Sequence, residues 1–264
     1  MHVSALHVYP VKSAAGLALD RAELDDRGIL HDRAFMFVNA KGEFLTQREH
    51  PRMALIRTTL TKDTLQLDAP DLPSISLPLE RSHLAPQMRV KVWSDSCLAS
   101  VASDDANAWA TAFFGEVAHL VCMPQTTKRR VDTRYVSENR NVRFADGFPL
   151  LVTNQASLEA LNARLARPIS MSRFRPNIVI AGGSAFEEDG WRRLQVGELI
   201  LECVKPCSRC VIVNIDPESS FSRPEPLAAL AAIHRVRNRV LFGQNALNDK
   251  PGVIAVGDQV RLLD

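Results

Sequence analysis

The first 100 residues are divided so finely that they leave room for strands and little else. Val3, Ala5, His7 and Tyr9 alternate with Ser4, Leu6, Val8 and Pro10, the period-two pattern of a strand with two unlike faces. The run Ala34–Val38 is short and apolar, and Asn39-Ala-Lys-Gly42 after it supplies a hairpin-type connection to Glu43–Gln47. Further short strands fit Ile56–Leu60, Leu65–Leu67, Ile75–Leu79 and Arg89–Trp93, parted by Thr61-Lys-Asp63 and by the proline-bearing Asp68–Pro73. Strands this short and this close together predict a barrel or sandwich rather than alternating βαβ units.

Beyond residue 100 helical spacing appears. Ser103-Asp-Asp opens a helix to Phe114 with Ala106, Trp109, Ala110 and Phe113 on one face. A second helix is expected over Ala156–Ala166, with Leu158, Leu161 and Leu165 in register, and a third, shorter one over Pro226–His234. Ile178–Ala181 and Leu199–Val204 read as buried strands, and Val253–Leu263 as a final strand or hairpin. Pro124–Ala145 is polar and basic and reads as a surface loop or lid, with Lys128-Arg-Arg130 on its solvated side. The expected fold class is therefore mostly β with some α, an α+β chain in two lobes that meet near residues 90–120.

The chain has 264 residues, 46% hydrophobic and 23% charged, which suits one large domain or two small ones and excludes disordered and fibrous classes. A net charge of +2 provides no footprint for non-specific nucleic-acid or membrane binding. No apolar run reaches the roughly 20 residues that span a bilayer, and the start, Met1-His-Val-Ser, lacks a signal-peptide layout. A cytoplasmic protein without nucleic-acid or membrane partners is expected.

Five cysteines are too few and too uneven for a disulfide framework, yet three of them lie within eight residues. Cys203, Cys207 and Cys210 have the C-x3-C-x2-C spacing used by radical enzymes to hold an iron–sulfur cluster. That reading fails on context: Cys203 is committed to a strand face, and only 54 residues follow Cys210, too few for the barrel such enzymes need. No second pair of ligands completes a zinc site, and no βαβ unit frames a redox dithiol. Buried packing is the plain alternative. Against it, Lys205, Pro206, Ser208 and Arg209 surround the thiols with two cations, a rigid turn and a hydroxyl, a setting that favours a thiolate. Soft thiolates suit soft or borderline metals.

Three groups of polar residues sit at strand boundaries: Lys12-Ser13, His31-Asp-Arg33, and Arg175 with Asn177 in Phe174-Arg-Pro-Asn177. Barrels display ligand-contacting groups at such places. Guanidinium forks, an ammonium point charge and hydroxyl donors together match an anion bearing a phosphate.

Taken in order, Tyr9-Pro-Val-Lys-Ser13, His31-Asp-Arg33, Phe174-Arg-Pro-Asn177, Lys205-Pro-Cys-Ser-Arg-Cys210, Phe242-Gly-Gln-Asn245 and Gly257-Asp258 resemble the motifs of MOSC-domain proteins over essentially the whole chain. The resemblance is nearest to the bacterial YcbX-type proteins and the mitochondrial amidoxime reducing component. It implies an N-terminal MOSC β-barrel domain over residues 1–100 and the MOSC domain proper over 101–264. It also implies a molybdenum cofactor, a molybdopterin, between them. Cys210 would be the molybdenum ligand and the catalytic residue; Lys12, Ser13, Arg33, Arg175, Asn177, Ser208 and Arg209 would contact the cofactor, as would Gly147 and Phe148 in the Asp146-Gly-Phe-Pro149 turn. The implied activity is reduction of N-hydroxylated compounds such as amidoximes and hydroxylamines. The chain shows neither the C-terminal [2Fe–2S] cysteine pattern of the YcbX-type proteins nor the anchor of the mitochondrial ones. No iron–sulfur cluster is expected, and electrons would come from a separate flavoprotein reductase or small redox carrier. MOSC domains also end molybdenum cofactor sulfurases, so a cofactor or sulfur carrier is the alternative. A complete sulfurase is excluded because no pyridoxal-phosphate domain is present.

Overall fold

The computed structural model describes residues 1–79, 85–136 and 139–263. Its largest sheet has nine strands, and their order shows how the two ends of the chain are used together. His2–Val8 pairs antiparallel with Ile178–Ala181, which runs parallel to Leu150–Asn154; the path continues through Arg239–Asn248, Leu199–Ser208, Arg193–Val196 and Val260–Leu263. The path then returns to its start. His2 bridges Gln259, Val3 N–H donates to Asp258 O at 2.9 Å, and Val260 N–H donates to Met1 O at 2.9 Å. The sheet is thus a closed barrel with two short flanking strands, Leu17–Leu19 and Arg235–Val236. Closure leaves its members no free edge.

The barrel is filled by Val3, Leu6, Val8, Val152, Ile178, Ile180, Leu194, Val196 and Leu201, all buried. Strict alternation would put Val3, Ala5, His7 and Tyr9 on one face. A bulge between Val3 and Ala5 instead moves Leu6 and Val8 onto the face of Val3, because one extra residue inverts everything after it. The outer face is covered by the second and third helices, here α2 (Gln155–Asn162) and α3 (Glu225–Ile233), through Leu158, Leu161, Val179, Leu230 and Phe242. Helix α2 lies in the crossover that joins the parallel strands Leu150–Asn154 and Ile178–Ala181. It ends four residues before the expected Ala166, because the Asn162 side chain turns to bond both the N–H and the carbonyl of Ile169.

The remaining strands form a four-stranded sheet (Phe35–Asn39, Ala118–Cys122, Asp95–Val101, Gln87–Val92) and two three-stranded ones. Phe35–Asn39 is buried on both faces: Phe35 and Phe37 meet Trp109 and Phe113 of α1 (Asp104–Phe114), while Met36 and Val38 meet Val90, Val121 and Phe144. Helix α1 starts as the sequence predicts, with Ser103 Oγ accepting from Ala106 N–H at 3.1 Å and two aspartates in the first turn.

Three expectations are corrected and a fourth is refined. Glu43–Gln47 is no strand: Phe44 and Glu43 make single bridges to Val38 and Lys91. Val253–Leu263 is no hairpin: Gly252–Ala255 pairs with Arg21–Asp25, and Val260–Leu263 with Arg193–Val196. Leu199–Val204 runs on to Ser208, so Pro206 lies in a bulged strand rather than a turn. Pro124–Ala145, of which residues 137 and 138 lie outside the described residues, is irregular with Lys128, Arg130 and Arg134 exposed, as a surface loop would be, but it is fastened down at Arg129. Arg129 is buried there and donates to the carbonyls of Arg143 (2.7 Å), Ala145 (2.5 Å) and Asp146 (3.0 Å). Among the described residues no helix is long and apolar enough to cross a membrane.

Gly243 shows how tightly the barrel wall is built. Its φ of +78° favours glycine, and a Cβ there would lie 2.7 Å from Val152 O and 2.8 Å from Thr153 Cγ2. Gly243→Ala is expected to cost about 2–3 kcal/mol, read as a lower urea midpoint with an unchanged slope.

Candidate functional site

All ten residues singled out in the sequence, Lys12, Ser13, Arg33, Gly147, Phe148, Arg175, Asn177, Ser208, Arg209 and Cys210, line one cleft of about 190 Å³. Each is delivered by the backbone where an element ends. Lys12 and Ser13 follow the first barrel strand, and Ser13 takes a left-handed φ of 68°. Arg33, with φ 47°, precedes Phe35–Asn39; Arg175, with φ 55°, ends the turn Met171–Phe174. Non-glycine residues held in this region each cost about 1–3 kcal/mol and persist where the surroundings dictate them. Three of them face one cleft.

The cations are held in place through their neighbours. Tyr9 is buried, and its ring has the Arg33 guanidinium and the Arg175 guanidinium each 4.3 Å from its centre. Arg33 is paired with Asp32 at 2.6 Å, and its Nη2 donates to Arg175 O at 3.0 Å. Arg175 Nη1 donates to Ala14 O at 2.5 Å, while its Nη2 is buried without a partner. Asn177 ties this group to the barrel: Oδ1 accepts from Leu151 N–H at 3.1 Å and from Arg33 at 3.2 Å. Lys12 Nζ reaches Phe144 O at 2.9 Å and Asp146 Oδ1 at 2.5 Å. Arg209 Nη2 donates to Phe174 O at 2.6 Å, leaving its buried Nε unpartnered.

Titration reflects this crowding. Burial, reinforced by the nearby Arg33 charge, pushes Arg175 down to about 10. Burial also lowers Lys12, with Asp146 partly restoring it, and raises the Tyr9 phenol to about 12. Desolvation would raise Asp146, but the charge and hydrogen bond of Lys12 and the indole of Trp93 hold it well below the usual carboxylate range. The cleft contains more positive charge than its own acids neutralise.

The three clustered cysteines part company. Cys203 packs in the barrel core, and burial pushes its thiol up to about 12. Cys207 and Cys210 line the cleft, each beside a guanidinium: Arg209 Nη1 donates to Cys207 Sγ at 3.0 Å, and Arg48 Nη2 to Cys210 Sγ at 3.3 Å. Among the described residues no three His, Cys, Asp or Glu side chains group as a metal site. Sequence reasoning missed Arg48, Phe44 and Thr46 in the lining, and the part played by Trp93 behind them. Their segment, Phe44-Leu-Thr-Gln-Arg48, looks like an ordinary loop, and only the fold carries it to the cleft.

Comparison with known proteins agrees with this architecture. The MOSC N-terminal beta barrel domain matches residues 1–117 and the MOSC domain residues 139–261. The chain belongs to the MOSC-domain family. It is 33% identical to mitochondrial amidoxime-reducing component 1 of Mus musculus over 99% of this chain and 82% of that one. With the human component 1 the identity is 31%, over the same shares of the two chains. A molybdenum cofactor sulfurase of Arabidopsis thaliana is 29% identical over 92% of this chain but only 32% of its own length.

An anion that takes the free N–H groups should bind the cofactor-free protein. Inorganic phosphate, against chloride at equal ionic strength, is expected to raise Tm by about 2–4 °C per kcal/mol of binding free energy, and Arg175→Gln to erase the difference. Equal Tm in both salts for the unsubstituted chain would show that the cleft does not select phosphate.

Proposed function

We propose that this chain is an oxidoreductase that holds a molybdenum cofactor in the cleft and reduces N-hydroxylated compounds with electrons from a separate redox protein. The observation that carries the reading is one cleft in which the Cys210 thiol shares the wall with Arg175 and Arg209, whose buried Nη2 and Nε lack partners. The donor set fits such a group. Two soft thiols, Cys207 and Cys210, beside clustered cations suit a metal that arrives with its own anionic organic ligand, whereas a metal held by protein alone would need more ligands.

In this reading Cys210 is the protein's molybdenum ligand. Lys12, Ser13, Arg33, Arg175, Asn177, Ser208 and Arg209 hold the anionic part, the arginines by forked contacts and Lys12 as a point charge. Gly147 and Phe148 wall the turn between them, Phe148 braced edge-on by Tyr135 at 6.0 Å. When bound, the cofactor supplies two-electron oxygen-transfer chemistry. The net reaction converts N–OH, two electrons and two protons into N–H and water, with a flavoprotein reductase or small redox carrier as electron source. The protein's part is to bind, orient and bias the charge around the centre. The names of the mitochondrial relatives support the reductase; the sulfurase match supports a second reading, a cofactor carrier that releases what it binds.

Protein made in a host competent for the cofactor is expected to retain near-stoichiometric molybdenum and pterin and to reduce benzamidoxime with a chemical reductant. Cys210→Ser is expected to abolish the reduction. Unchanged reduction by that variant would remove Cys210 from the mechanism, and a cofactor that leaves during turnover would favour the carrier.

A further inference from the structure

The contact between Arg48 and Cys210 joins residues 162 positions apart in the sequence. Arg48 is an exposed residue, and an exposed guanidinium is ordinarily a solvated one. Here it is supported on two sides. Its Nη2 donates to Cys210 Sγ at 3.3 Å, and its guanidinium lies 4.7 Å from the centre of the Trp93 ring. Trp93 is itself fixed: its indole Nε1 donates to Asp146 Oδ1 at 3.0 Å, and Phe44 meets its ring edge-on at 5.0 Å. Asp146 completes the rim by holding Lys12.

The backbone at Trp93 marks this support as demanding. Trp93 and Ser94 connect the strands Gln87–Val92 and Asp95–Val101, and Trp93 has a φ of 56°. Two-residue hairpin turns fill such a position with Gly, Asn or Asp, because a bulky side chain is strained there. Trp93 is also 42% exposed, so core burial does not account for it. What the ring does touch is the guanidinium that bonds the cysteine.

We propose that Arg48 is a positioning residue for the Cys210 sulfur, held to that task by Trp93. The inference rests on the reading of Cys210 as the molybdenum ligand. A guanidinium stays charged at every working pH, and a donor on a ligand sulfur draws electron density from it. Hydrogen bonds to ligand sulfur are an established means of setting redox potential. Positive charge at this place favours the electron-rich state of the centre, which accepts electrons from the donor more readily.

The test uses holoprotein and redox titration followed by electron paramagnetic resonance. Arg48→Gln is expected to move the molybdenum potential to more negative values, alter the resonance signature and lower kcat about tenfold. Arg48→Lys keeps the charge but not the planar stack, and its potential falls between the two. Trp93→Ala reproduces Arg48→Gln, whereas Trp93→Phe keeps a ring face and stays near the unsubstituted protein. Arg52→Gln, an equal loss of charge elsewhere on the surface, leaves the potential in place, and cofactor-free Arg48→Gln keeps its Tm. A loaded Arg48→Gln protein with unchanged potential and signature overturns the proposal, as does an equal shift in Arg52→Gln. If the unsubstituted chain carries no molybdenum at all, the proposed function falls and this inference with it.

Discussion

Two arginines packed against the ring of one buried tyrosine are the arrangement around which the cleft is organised. Arg33 and Arg175 repel one another, and the depressed pKa of Arg175 records both that repulsion and its burial. The Tyr9 ring offers its negative π density to both guanidinium groups, each 4.3 Å from its centre. Asp32 pins the arrangement from below, with Oδ1 accepting from Tyr9 N–H at 2.9 Å and the same carboxylate pairing with Arg33. This requires three distant stretches of chain to end at one place. Barrel closure provides that, because the strand leading to Tyr9 is the same strand that seals the sheet against Gly257–Val260. Fold closure and cation placement are therefore one constraint.

Much of the fold could be read in the sequence where local signals were strong. Helix α1 carries its own cap and apolar face, and five of the expected short strands lie within a few residues of where they form. The misreadings share a cause. Alternation cannot reveal a bulge, so the period-two pattern before Tyr9 does not say which residues face the core. A proline reads locally as a turn, but in Leu199–Ser208 it occupies a place where the ladder is already shifted. The basic segment around Arg129 looks solvated until the three carbonyls that its guanidinium serves are in view. Each is a tertiary pairing that a local pattern cannot encode.

The cleft shows the same division. Residues in compact motifs could be named and prove to share one wall, because Lys12-Ser13, Arg33, Arg175 and Cys210 each follow or precede a recognisable strand. Arg48 and Trp93 carry no such signal. One is in a loop joined to the sheet only by single bridges, the other in a hairpin turn, and they meet only because Phe44 and Asp146 bring them together.

This difference separates two thiols that the C-x2-C spacing would treat as alike. Arg209 is two residues from Cys207 and is anchored on Phe174 O, so that pairing travels with its own strand and the turn beside it. Cys210 depends on a guanidinium from the first fifty residues, stacked on a tryptophan in a strained turn. Whatever loosens the contact between the first half of the chain and the barrel changes the surroundings of Cys210 and leaves those of Cys207 largely intact. A ligand seated between Lys12, Arg33 and Arg209 would tighten that contact, because it bridges cations from both halves. The cations that such a ligand would bridge and the Arg48 guanidinium beside the Cys210 sulfur therefore depend on the same meeting of the two halves of the chain.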